Sequence, residues 1–296
     1  MASPSDWLEG ARLRTLPAAM APVILGTASA VHIGQWSAPR ALLALAVALL
    51  LQIGVNFSND YSDGIRGTDD NRQGPPRLTG GGLAAPRTVL AAALGCFGAA
   101  GVLGLWLVLL SGQWVLVAVG VAAVAAAWFY TGGTHPYGYL GIGVSEVMVF
   151  VFFGLVATVG TTVTQVPSAP WWLWCLASGV GLLSVSLLMV NNIRDIPTDR
   201  EAGKRTVAVR LGEGGARSAY VAMLVAALVL AAVGLLGADT RLAVAVTPFL
   251  AVGAVLPARR VVAGASGRAL IPALRDTGLY TLAWSVACAV VLVVGA

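Results

Sequence analysis

The chain has 296 residues, of which 58% are hydrophobic and only 10% charged, with a formal net charge of +5. Soluble domains carry about 25% charged residues, so this composition cannot make a water-exposed surface, and the mean hydropathy of +0.84 points to a polytopic membrane protein. In such a chain Asp, Glu, Lys and Arg are costly to place, and each is a functional candidate wherever it lies inside the protein.

Apolar segments near the roughly 20 residues that cross a bilayer fall at 14–33, 39–60, 87–110, 113–131, 138–162, 170–192, 214–237, 241–262 and 273–295. The first follows Arg12 and Arg14 and contains "ASA" at Ala28–Ala30, which imitates a cleavable leader. Pro17 and Pro22 interrupt its apolar run, so a retained helix is expected. The second runs into "NFSNDYSDGIRGTDDNR", which sets Asp60, Asp63, Asp69 and Asp70 at the mouth of a hydrophobic helix. The third and fourth, and the fifth and sixth, have short connections and are predicted antiparallel neighbours. The sixth runs into "NNIRDIPTDREAGKRTVAVRLG", with Asp195, Asp199, Glu201, Glu213 and the single lysine, Lys204. Cys96, Cys175 and Cys288 lie inside apolar runs and read as core residues. His32 and His135 are too far apart in sequence to suggest a metal pair. No linker or soluble insert interrupts the chain, so residues 1–296 are expected to form one domain.

The basic residues test the helix count. With the N-terminus in the cytoplasm, the inner segments take Arg12 and Arg14; Arg66, Arg72, Arg77 and Arg87; Arg194, Arg200, Lys204, Arg205, Arg210 and Arg217; and Arg259, Arg260, Arg268 and Arg275. Only Arg40 and Arg241 fall outside. This is the partition that the positive-inside rule requires. Nine helices are expected in the plasma (inner) membrane, with the C-terminus outside and both acidic clusters cytoplasmic.

Asp60 and Asp63 are spaced i, i+3, and Asp195 and Asp199 i, i+4, so on helical backbone each pair shares a face. Pro197 argues for a frayed helix end at the second pair. Asn56, Asn59, Asn191 and Asn192 add neutral oxygens on the preceding turns. Carboxylates with amide oxygens suit Mg²⁺, which is commonly shared between protein and substrate phosphates, and neighbouring Arg and Lys suit the remaining phosphate oxygens. A single such loop reads equally well as a solvated surface with incidental ion pairs. Two of them on one membrane face favour a metal-bridged diphosphate. Asp70, Glu201 and Glu213 read as surface residues.

"NDYSDGIRGTDD" and "NNIRDIPTDREAGKRTVAVRLG" resemble the two aspartate-rich motifs of the UbiA-type intramembrane prenyltransferases, an all-α family of nine transmembrane helices. "RLRTLPAAMAPVILGT", "GPPRLTGGGL" and "YTGGTHPYGYLGIG" are similar to the branch acting on 1,4-dihydroxy-2-naphthoate in menaquinone biosynthesis. The resemblance implies transfer of a polyprenyl group from polyprenyl diphosphate to the naphthoate with loss of CO₂, giving demethylmenaquinone. It implies Mg²⁺ held by Asn59, Asp60, Asp63, Asn192, Asp195 and Asp199, with the diphosphate met by Lys204, Arg72, Arg77 and Tyr130. Arg14 is the expected contact for the aromatic acceptor. Gly67 stands where a third aspartate belongs, with Asp69 as its substitute, and Glu146 lies past the position where an acidic residue is expected. A lipid-side tunnel would take the tail; the partners are the two substrates and the bilayer, with no nucleic acid.

Three other readings share parts of the pattern. CDP-alcohol phosphotransferases also cluster aspartates, but Ile65-Arg66-Gly67 breaks their motif. An ion-coupled transporter would use the carboxylates for cations, usually near the midplane rather than the rim. Within the family, 4-hydroxybenzoate and other acceptors compete with the naphthoate.

Overall fold

The computed structural model describes residues 2–67, 77–134 and 136–296, and their only regular structure is helical. A short helix α1 (Pro4–Gly10) begins with a capping box, in which Ser3 Oγ accepts from the Asp6 amide and the Asp6 carboxylate accepts from the Ser3 amide. The long helices follow: α2 (Leu16–Ile33), α3 (Ala38–Ile65), α4 (Pro86–Ser111), α5 (Val115–Thr131), α6 (Val144–Val163), α7 (Trp171–Glu201), α8 (Val207–Gly237), α9 (Ala243–Val262) and α10 (Ile271–Val294). These are the nine expected. Eight segments are long and apolar enough to cross a membrane, and α5, at 17 residues, is shorter.

Helix α7 is the axle of the bundle, packed against α6, α8 and α10. Its Leu173, Leu176, Val180 and Leu183 are fully buried. Helices α3 and α4 pair on one flank, and α2 and α10 on the other. Without water to drive them together, helices in lipid associate through close packing at small residues. Gly154 on α6 lies against Gly181 on α7, where a Cβ would come within 2.8 Å of the Gly181 nitrogen and 2.9 Å of the Ala177 carbonyl. Helix α6 widens to a π-helix over Phe150–Val156 at this contact, a feature frequent at functional sites.

Among the boundaries that differ from the sequence expectation, two helix C-termini carry the acidic motifs. Helix α3 continues to Ile65 and α7 to Glu201, so Asp60, Asp63, Asp195 and Asp199 sit on helix rather than in loops. Pro197 does not fray α7, although it leaves the Ile193 carbonyl without its helical donor. The apolar run measured the bilayer, whereas the helix measures itself. At 1.5 Å per residue, 31 residues rise about 46 Å, well beyond the roughly 30 Å of hydrocarbon. The start of α8 also moves, to Val207, with a break at Gly212, whose φ of 69° is left-handed.

Candidate active site

One cavity of about 400 Å³ runs through the bundle between α2, α3, α5, α6 and α7. Along α3 its wall follows a helical stripe, Ala48, Gln52, Val55, Asn59 and Asp63, at the i, i+3/i+4 spacing of one face. Ala44 and Asp63 both line it, so it extends about 28 Å along that helix. Most of this stem is apolar, walled by Val23, Leu107, Phe152 and Phe153 among others, and one end is polar.

The polar end unites the two acidic motifs. Asp63 from α3 faces Asp195 and Asp199 from α7, with Asn59, Asn191, Asn192, Arg77, Lys204 and Tyr130 in the same wall. Asp63 Oδ1 accepts from the Tyr139 hydroxyl at 2.7 Å, and its Oδ2 is 3.9 Å from the Arg77 guanidinium, which is itself buried. Arg194 holds Asp195 fork to fork, with Nε 2.7 Å from Oδ1, and also donates to Asn191. Lys204 Nζ lies 3.8 Å from Asp199 Oδ1, while Asp199 Oδ2 is buried with no hydrogen-bond partner. A buried carboxylate oxygen left unpaired is costly, and a cation is one partner that would satisfy it. Asn59 Oδ1 accepts from Thr131 at 2.8 Å. Among the described residues no three Asp, Glu, His or Cys side chains are gathered tightly enough to hold a metal alone.

The turn between α5 and α6 supplies what the sequence reading missed. Tyr139 stands between the motifs, its hydroxyl on Asp63 and its ring 4.9 Å from the Lys204 ammonium and 5.8 Å from the Arg66 guanidinium. Its carbonyl accepts from the Arg205 amide at 3.0 Å, and Arg210 donates to the Leu140 carbonyl, so this turn is tied to the start of α8. Arg66 donates to the Thr131 and Gly133 carbonyls at the end of α5. The Tyr137 hydroxyl donates to the Ala126 carbonyl at 2.7 Å, and burial pushes its phenol up to about 12. "YTGGTHPYGYLGIG" entered the sequence reading only as a family resemblance that supplied Tyr130, and nothing in the stretch said that Tyr139 reaches the aspartates.

Other expected residues fall elsewhere. Arg14 is half exposed and paired with Glu9 at 3.2 Å, outside the cavity wall; Arg12 occupies that wall beside Thr15 and Asn56. Arg12 adopts a left-handed backbone, φ 54°, between α1 and α2. Asp60 is fully buried and absent from the wall, and the half-buried Glu146 is absent from it too. Asp60 and Asp63 thus lie on adjacent stripes of α3: Asp63 enters the cavity wall and Asp60 flanks it. Asp69, Asp70 and Arg72 lie outside the described residues.

A polytopic bundle with an anion-ready polar end on a long apolar stem defines a membrane protein built around an amphiphile with a charged head. Residues 19–274 match the UbiA prenyltransferase family, and the chain belongs to that family. It is 51% identical over 297 residues to 1,4-dihydroxy-2-naphthoate octaprenyltransferase of Mycobacterium tuberculosis, covering 100% of this chain and 99% of that protein. It is 38% identical to the Escherichia coli protein of the same name, over 75% of this chain and 74% of that one. In fold it is similar to the apo structure of a UbiA homolog from Aeropyrum pernix K1, with a TM-score of 0.71 at 18% identity over 93% of this chain and 97% of that one. A UbiA homolog from Archaeoglobus fulgidus bound to DMAPP and Mg²⁺ gives 0.66 at 15% identity, over 95% and 98%.

Proposed function

We propose that this chain transfers a polyprenyl group from its diphosphate to 1,4-dihydroxy-2-naphthoate, with loss of CO₂, as a Mg²⁺-dependent integral membrane enzyme. The carrying observation is a cavity whose polar end brings Asp63, Asp195, Asp199 and Lys204 together above an apolar stem. The full-length likeness to naphthoate octaprenyltransferases supports the acceptor. The residues fit the metal: Asp199 offers an unpartnered buried oxygen, with Asp63, Asp195 and the amides of Asn59 and Asn192 around the same space.

Bound there, Mg²⁺ would neutralise charge on the departing diphosphate. Lys204 and Arg77 meet the remaining phosphate oxygens from opposite motifs, as preorganised cations whose worth grows in a water-poor site. Tyr139 and Arg194 orient Asp63 and Asp195 by hydrogen bonds. The apolar stem takes the isoprenoid tail and shields the allylic cation from water once the C–O bond breaks. The electron-rich ring carbon of the naphthoate then forms the new C–C bond, the carboxylate leaves as CO₂, and diphosphate is released. No oxidant is consumed, so the first product is the hydroquinone form of demethylmenaquinone. Arg12 is the guanidinium placed to meet the acceptor's carboxylate, in the role that the sequence reading gave to Arg14.

The basic residues support a cytoplasmic polar end, a cytoplasmic N-terminus and a C-terminus outside. The test is turnover by purified protein in detergent with geranylgeranyl diphosphate, Mg²⁺ and either the naphthoate or 4-hydroxybenzoate, read by mass spectrometry. Prenylated, decarboxylated product from the naphthoate, lost with EDTA, is expected. Product from 4-hydroxybenzoate alone would keep the chemistry and overturn the acceptor.

A further inference from the structure

Asp60 is the acidic residue that the proposed site does not use. It is fully buried, and both of its carboxylate oxygens accept backbone amides: Leu78 N–H at 2.9 Å and Thr79 N–H at 2.8 Å. On α3 the cavity stripe passes through Asn59 and Asp63, while Phe57, Asp60 and Gly64 form the neighbouring stripe at i, i+3, i+7. All three meet the same turn. Phe57 and Leu78 belong to one buried cluster, and a Cβ on Gly64 would lie 2.6 Å from the Thr79 Cβ and 2.9 Å from the Gly80 nitrogen. The residue immediately before this docked pair is Arg77, whose guanidinium enters the cavity beside Asp63.

We propose that Asp60 is a positioning residue, which clamps the Leu78-Thr79 backbone to α3 and so holds Arg77 at the diphosphate, rather than a metal ligand. A carboxylate accepting two amide N–H groups in a buried setting makes strong, charge-assisted bonds. One such clamp fixes two successive peptide units, leaving Arg77 little freedom to swing out. The inference deepens the proposed function and rests on it for the diphosphate role of Arg77, but the clamp itself is a property of the metal-free protein.

Two measurements test it. In metal-free protein, hydrogen–deuterium exchange should show the Leu78 and Thr79 amides protected, and faster by at least about tenfold in Asp60→Asn, which can accept from only one of them. In turnover assays, Asp60→Asn should raise the KM for prenyl diphosphate about tenfold and leave the Mg²⁺ concentration at half-maximal rate unchanged. Arg77→Ala should raise the same KM, and the double variant should be no worse than Arg77→Ala alone, because both changes remove one interaction. If Asp60→Asn is poorly folded, Gly64→Ala serves instead: it pushes the turn off α3 without touching a carboxylate and should reproduce the KM effect. A raised Mg²⁺ requirement in Asp60→Asn, multiplying effects in the double variant, or unchanged amide exchange would each overturn the clamp. Absence of any Mg²⁺-dependent product from the wild type would instead strike the proposed function, leaving the exchange result to stand on the clamp alone.

Discussion

At the scale of single residues, the site depends on which carboxylate oxygens are already satisfied. Asp63 and Asp195 are each oriented by a donor, Tyr139 and Arg194, whereas Asp199 presents a buried oxygen with nothing on it. Asp63→Asn and Asp199→Asn should therefore keep a folded protein and lose on the order of a hundredfold or more in Mg²⁺-dependent turnover, the size expected from losing charge at a preorganised site; steady-state rates across a Mg²⁺ series would read it. Tyr139→Phe removes one charge-assisted hydrogen bond worth about 1.5–3 kcal/mol but keeps the ring beneath Lys204, so a fall of about tenfold to a hundredfold in kcat/KM is expected. Arg12→Ala should raise the KM for the naphthoate, while Arg14→Ala, which loses only an exposed pair with Glu9, should stay near wild type. Equal effects in the two variants would refute the assignment to Arg12.

At the scale of elements, the sequence and the structure agree on nine helices among the described residues, eight of them long and apolar enough to cross a membrane, and differ at helix ends. Hydropathy located all nine helices because burial in lipid is written in every residue of a span. It stopped α3 and α7 where the lipid stops, and so placed the aspartates in loops. Likewise, spacing showed that Asp60 and Asp63 were near one another, but which of two adjacent stripes enters the cavity depends on how α3 is rotated against its neighbours. That rotation is decided by tertiary contacts such as Phe57 with Leu78, not by local sequence. Tyr139 was hidden for the same reason: a turn residue gains its partners from elements that precede and follow it. The contact of α6 with α7 gives an element-level prediction. A side chain larger than alanine at Gly181, which meets the Phe150 ring at 2.7 Å already for a Cβ, overpacks the core at a cost of about 1–3 kcal/mol. Gly181→Val should lower the midpoint of thermal unfolding in detergent by several degrees and disturb the π-helical wall of the cavity.

At the scale of the whole molecule, the bundle surrounds a cavity with charge at one end and an apolar stem along the rest. Arg40, outside by the charge partition, donates to the Leu110 carbonyl at the end of α4 and to the Thr164 carbonyl after α6. Thr164 itself lines the cavity, and nearby Gln165 accepts from the Ser37 amide and donates to Thr27. These polar staples tie together the helix ends away from the acidic motifs. The central claim concerns the opposite end: that the two aspartate motifs form one Mg²⁺-dependent seat for a prenyl diphosphate. Calorimetric titration of the purified protein with farnesyl thiolodiphosphate, which resists ionisation, measures that seat without chemistry. Binding should require Mg²⁺, vanish with EDTA, and weaken on Asp63→Asn in one motif and Asp199→Asn in the other. Binding of equal strength without Mg²⁺, or untouched by either substitution, would contradict the account.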